Sequence, residues 1–113
     1  MGHYKLVVLT NPVDGREQDY NDWYDNQHLA DVVAVPGYRS AQRFRLRNPM
    51  GYDHAHRYLA LYEIETDDPD AAIEALLARR GTELMAVSDA LDQDTAVAGL
   101  FESCSPVVTT KNA

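Results

Sequence analysis

The chain has a single cysteine, Cys104, in 113 residues. That leaves no partner for an intramolecular disulfide and no basis for a Cys-built zinc cage. A lone thiol is tolerated in a reducing compartment, and the expectation is a structural, half-buried group. Long apolar runs are also missing. The longest, Leu6 to Leu9, is far too short to cross a bilayer, and no basic, then apolar, then small-residue leader opens the sequence. The expected location is therefore the cytoplasm. Basic residues are scarce: ten Lys and Arg against eighteen Asp and Glu leave a formal charge of −8. This is the wrong sign for a surface that neutralises phosphates, so nucleic acid and anionic membrane are not expected partners. Gly-rich phosphate loops, a Gly-x-Ser-x-Gly elbow and a Cys-His pair are absent, as are repeats, low-complexity segments and linkers.

What is present has the balance of one soluble globular domain, with 45% hydrophobic and 25% charged residues. We place that domain at residues 1–106, followed by a polar tail at 107–113. Tyr4 to Thr10 reads as a strand buried on both faces, closed by Asn11-Pro12. From about Asp19 to Ala34 the apolar and aromatic residues recur at helical spacing until Pro36-Gly37 stops them. Tyr38 to Arg47 alternates, with Tyr38, Ser40, Gln42, Phe44 and Leu46 on one face and Arg39, Ala41, Arg43, Arg45 and Arg47 on the other. A loop over 48–56 leads into a strand from Arg57 to Ile64. Asp68-Pro69 then caps a helix over Asp70 to Arg80, closed by Gly81. Glu83 to Leu91 reads as one or two further helical turns, and Ala96 to Cys104 as the last strand.

Strand, helix, strand, strand, helix, strand is the ferredoxin-like βαββαβ order. It gives an α+β fold in which a four-stranded antiparallel sheet carries both helices on one face. The other face is left bare, and a bare apolar face on so small a domain is most economically covered by a second copy. A homodimer is therefore expected.

The first helix holds the most chemistry. At 100° per residue, Tyr20, Trp23, Tyr24, Gln27, His28 and Asp31 share an inward arc with Ala30, Val32 and Ala34. A purely structural helix would present Leu, Ile and Val there. Two Tyr, a Trp, a Gln and a His instead describe a cavity with polar tips among apolar walls. His28, one turn after Tyr24, is the natural proton carrier at neutral pH; the plainer alternative is a core histidine whose nitrogens are satisfied locally. The arginines of the second strand could pair with the acidic helix, or one of them, Arg43 in mid-strand, could hold a carboxylate or enolate oxygen. Asp53, His54 and His56 have His-x-His spacing but no second ligand motif, so a solvated turn is expected and no metal.

The string NDWYDNQHLADVVAVPGYRSAQRF, residues 21–44, resembles the EthD-like branch of the dimeric α+β barrel superfamily. In that branch a Trp or Tyr pair is followed by His on the first helix, then by Pro-Gly and an Arg-containing strand. The matching residues are Trp23, Tyr24, His28, Pro36, Gly37 and Arg43, and the order of elements agrees over nearly the whole chain. The resemblance implies a pocket between helices and sheet with His28 as the proton-transfer group and no cofactor. Other branches place a second His on the first or third strand, where this sequence has Lys5 and Tyr58.

The expected function is a cofactor-independent lyase or isomerase. Its reaction would be proton transfer, cyclisation, dehydration or decarboxylation on a small aromatic, polyketide-like or lactone compound. His28 and Tyr24 are the expected catalytic pair, with Trp23, Arg43, Tyr58 and Tyr62 around the substrate. Tyr58 or Arg43 would stabilise a developing oxyanion. The alternatives are a non-catalytic protein that binds a hydrophobic metabolite, and a cofactor-free monooxygenase of a phenolic substrate.

Overall fold

The computed structural model describes residues 1–111; residues 112 and 113 of the expected tail lie outside the described residues. The elements are β1 (Gly2–Thr10), α1 (Glu17–Trp23), a π-helical turn (Tyr24–His28), α2 (Leu29–Val33), β2 (Tyr38–Arg45), β3 (Tyr58–Thr66), α3 (Pro69–Arg79) and β4 (Val97–Glu102). The strands form one antiparallel sheet in the order β2-β3-β1-β4. With the helices packed on one face, this is the ferredoxin-like α+β fold that the element order implied.

Strand pleating decides what is buried. The inward row pairs Leu6 with Tyr62 and with Leu100, and carries Thr10, Tyr58, Ala60 and Ile64 into the core beneath Val32, Val35 and Ala72. Thr10 and Tyr20, both buried, satisfy each other through a hydroxyl pair at 2.5 Å. β1 is thus buried on one face, not both. The opposite face holds Val7, Leu9, Leu59 and Leu61, only half-buried, with Phe44, Val97 and Phe101 at 43%, 53% and 59% exposure.

Two local features depart from the expected pattern. In β2 the register slips between Tyr38 and Ser40, a β-bulge that puts Tyr38 opposite Ile64 and on the same face as Ala41, Arg43 and Arg45. Tyr38 is therefore separated from Ser40, Gln42 and Phe44, which strict alternation had grouped with it. Residues 83–91 are irregular, not helical. The Thr82 hydroxyl donates to the Arg79 carbonyl and accepts from the Leu84 N–H, closing α3 off. The segment is then pinned by buried Met85 and Ala90, by the Val13 N–H on the Ala90 carbonyl, and by the Trp23 indole N–H on the Ala86 carbonyl. At the start of α3, Asp68 accepts from the Ala71 N–H and Pro69 fills the first turn, as the sequence indicated. Cys104 is exposed beyond β4, in place of the half-buried position expected for it.

Candidate active site

The helical rod over 17–33 is widened at its centre, where residues 24–28 make a π-turn. An extra residue in one turn rotates everything downstream. Gln27, Ala30 and Ala34, which a regular 100° spacing turns inward, are exposed, while Leu29 packs against the core. Tyr24 is buried at one end of the turn and His28 half-buried at the other. Their rings meet edge to face at 5.1 Å, and Trp23 stacks on the His28 imidazole at 4.4 Å.

These rings form one wall of a cavity of about 460 Å³ between the inward faces of β1 and β4, α3 and the loop that follows it. Leu6, Val8, Val32, Leu76 and Leu100 supply apolar wall; Thr10, Tyr24, His28, Tyr62, Arg80 and Gln93 supply the polar tips. This is the composition of a small-molecule site, mostly apolar with a few convergent polar groups. Two of those groups are unsatisfied. Among the described residues, buried His28 Nδ1 and the buried Tyr62 hydroxyl have no hydrogen-bond partner of good geometry, the Tyr62 hydroxyl having only the Tyr24 phenol close by. Buried polar atoms are ordinarily paired, and leaving one bare costs about 1–3 kcal/mol. The plainer reading of His28, as a locally satisfied core residue, does not describe this geometry.

Burial also sets the protonation states. It pulls the His28 imidazole down to about 4, with nearby Arg80 adding to the effect and Asp31 opposing it. His28 is therefore neutral at pH 7 and a weaker base than an ordinary histidine. Burial pushes the Tyr24 and Tyr62 phenols up, each reinforced by a neighbouring phenol, so both stay protonated donors.

Of the residues singled out in the sequence, Trp23, Tyr24, His28 and Tyr62 come together around this cavity. Arg43 and Tyr58 do not; they line a separate shallow recess with Asn21 and Asp25. The Arg43 guanidinium, with its side chain 10% exposed, donates to Asp25 at 2.7 Å and to Asn21 at 2.8 Å. It also lies over the rings of Tyr24, Tyr58 and Tyr20 at 4.5, 5.0 and 5.2 Å. Its fork is occupied by the acidic helix, so it is not available as the oxyanion partner expected of it. The Tyr58 hydroxyl likewise donates to Glu17. His54 and His56 face the Pro49 and Thr95 carbonyls, at 3.2 and 2.6 Å, and among the described residues no three His, Cys, Asp or Glu side chains gather as a metal site. The sequence reading missed Thr10, Arg80 and Gln93. The sequence places Arg80 as the last residue of the helix, and only the adjoining Gly81 signals that the chain turns there.

No protein-family model matches the chain. Among curated proteins it is 42% identical over 62 residues to Core atranone cluster (CAC) protein 1 of Stachybotrys chlorohalonatus, a match covering 53% of this chain and 25% of that protein. The match thus takes in only a quarter of that relative's length. Among solved structures, SnoaB from Streptomyces nogalater, a cofactor-independent oxygenase, superposes with a TM-score of 0.61 at 20% identity over 95% of this chain and 98% of its own. An EthD family protein from Bacillus halodurans superposes with a TM-score of 0.52 at 17% identity, over 91% of this chain and 99% of its own. The chain shares the ferredoxin-like α+β fold of these structures. Among the described residues no helix is long and apolar enough to cross a membrane.

The depressed His28 imidazole links stability to pH. Between its ordinary value of 6.5 and about 4, the unfolded chain binds a proton that the folded chain refuses. The His28 contribution is therefore present above this window and lost as pH falls through it. Thermal melts of wild type and His28→Gln from pH 7 to 4 should show a steeper acid loss for wild type. Parallel curves would contradict the buried neutral imidazole.

Proposed function

We propose that the cavity binds a small, largely apolar aromatic or lactone-like molecule and that His28 and Tyr62 act on it as a cofactor-independent lyase or isomerase. The supporting observation is the pair of unsatisfied buried atoms, His28 Nδ1 and the Tyr62 hydroxyl, in one apolar cavity. A ligand carbonyl oxygen would accept from the Tyr62 O–H while the neutral imidazole takes the proton from the adjacent carbon. The C–H electron pair forms a C=C bond as the carbonyl π pair moves onto oxygen, giving an enolate held by Tyr62. His28 then returns the proton to a different carbon, or to a leaving oxygen that departs as water. Tyr24 and Trp23 orient the imidazole through their ring contacts. A second reading, a cofactor-free oxygenase in which an electron-rich phenolic substrate itself reduces oxygen, is favoured by the near full-length likeness to SnoaB.

The same reading includes a homodimer formed through the outward sheet face, where Phe44, Val97 and Phe101 stand exposed. Sedimentation at micromolar concentration should give a dimer, and Phe101→Glu a monomer; a stable wild-type monomer would overturn the assignment.

Screening a metabolite extract by mass spectrometry against wild type and variants tests the chemistry. His28→Gln should keep a near-native melting temperature at pH 7 and lose roughly 10² or more in rate. Tyr62→Phe should keep the fold and lose less. Oxygen uptake coupled to turnover would move the assignment to the oxygenase reading. Normal turnover by His28→Gln would remove proton transfer and leave a binding protein.

A further inference from the structure

Among the described residues lining the cavity, Arg80 is the cation. It follows α3 with extended backbone (φ −60°, ψ 127°), and the next residue, Gly81, sits at φ +81°. The Gly81 N–H donates to the Met85 carbonyl at 2.8 Å and Met85 is buried, so the root of the Arg80 side chain is fixed. Its head is not. The ion pairs found among the described residues engage the N-terminus, Lys5, Arg16, Arg39, Arg43 and Arg57, and none engages Arg80. Half of the ten Lys and Arg side chains make no ion pair among the described residues, and Arg80 is the one of these that lines the cavity. The contact it makes is to the neutral amide oxygen of Gln93, at 3.4 Å across the cavity lining. A guanidinium with most of its fork unused, next to an amide that supplies further donors, matches the geometry of a bound carboxylate or sulfonate.

We propose that Arg80, with Gln93 beside it, is the anion-recognition group of the cavity. The ligand is then an organic anion whose apolar ring system lies against Trp23 and Leu100 and whose charged group meets Arg80. This rests on the cavity being a ligand site, as argued above, and adds the class of ligand. It also bears on His28: an anion on Arg80 offsets the smaller, charge-based part of the imidazole's depression, the larger part being burial.

Trp23 is the chain's single tryptophan and lines the cavity, so its fluorescence reports occupancy. Two probes share one ring skeleton: 1-anilinonaphthalene-8-sulfonate carries a charge and N-phenyl-1-naphthylamine does not. At low salt, wild type should bind the sulfonate about tenfold or more tighter than the neutral amine. Arg80→Gln, folded by circular dichroism because the side chain is exposed, should lose about tenfold for the sulfonate and stay within about twofold for the amine. Arg80→Lys should recover part of the loss. If Arg80→Gln leaves the sulfonate unaffected, or weakens both probes equally, the anion site is overturned while the cavity reading stands. If neither probe changes Trp23 emission in wild type, the cavity reading falls and this inference with it.

Discussion

Tyr24 is the side chain on which the arrangement turns. One face of its ring carries the Arg43 guanidinium at 4.5 Å, and its edge relation to His28, at 5.1 Å, closes the cavity side. A nearly buried guanidinium is costly unless its donors and charge are met. Here Asp25, Asn21 and three tyrosine rings meet them. Because Asn21 and Asp25 belong to the helix and Arg43 to β2, that satisfaction holds helix and sheet together, and each cation–π contact adds to it. The position of the helix then decides where the π-turn, and hence the imidazole, sits above the sheet.

The two arginines divide the electrostatics. Arg43 is paired, stacked and sequestered, so it acts on the site through Tyr24. Arg80, in no ion pair among the described residues, lines the cavity and is the group proposed to meet a ligand. The bare atoms of His28 and Tyr62 belong to the same logic. A core built for stability alone would satisfy them or replace them with apolar groups, and departures from local consistency concentrate where a molecule must be received. The outward sheet face is a second departure, with Phe44 and Phe101 exposed there, and it is the face proposed to pair with a second copy.

How much of this was legible in the sequence differs from feature to feature. Pro36-Gly37, Asp68-Pro69 and the period-two segments marked element order well, because each acts through local backbone sterics. The register slip in β2 carried no such marker, and it regrouped Tyr38 with Arg43. The π-turn was equally silent: Asp25-Asn26-Gln27 is compatible with an ordinary turn, and only packing of Tyr24 and His28 on the sheet selects the wider one. Residues 83–91 have helical spacing but are held irregular by Trp23, Val13 and the Thr82 turn, partners distant in sequence or invisible to periodicity. The same limit explains the choice of Arg43 over Arg80. Both are arginines near predicted element interiors or ends, and only the tertiary position of the acidic helix shows which one is already occupied.

The central claim is that His28 is a neutral imidazole with an unused nitrogen, held ready in a ligand cavity. Nitrogen-15 NMR of histidine-labelled protein reads this directly, through the ring shifts followed over pH with and without N-phenyl-1-naphthylamine. The account predicts a His28 ring that stays neutral down through pH 5, titrates near about 4 and shifts when the amine occupies the cavity. An imidazole that titrates near its ordinary 6.5, or whose nitrogens do not respond to the amine, would contradict it.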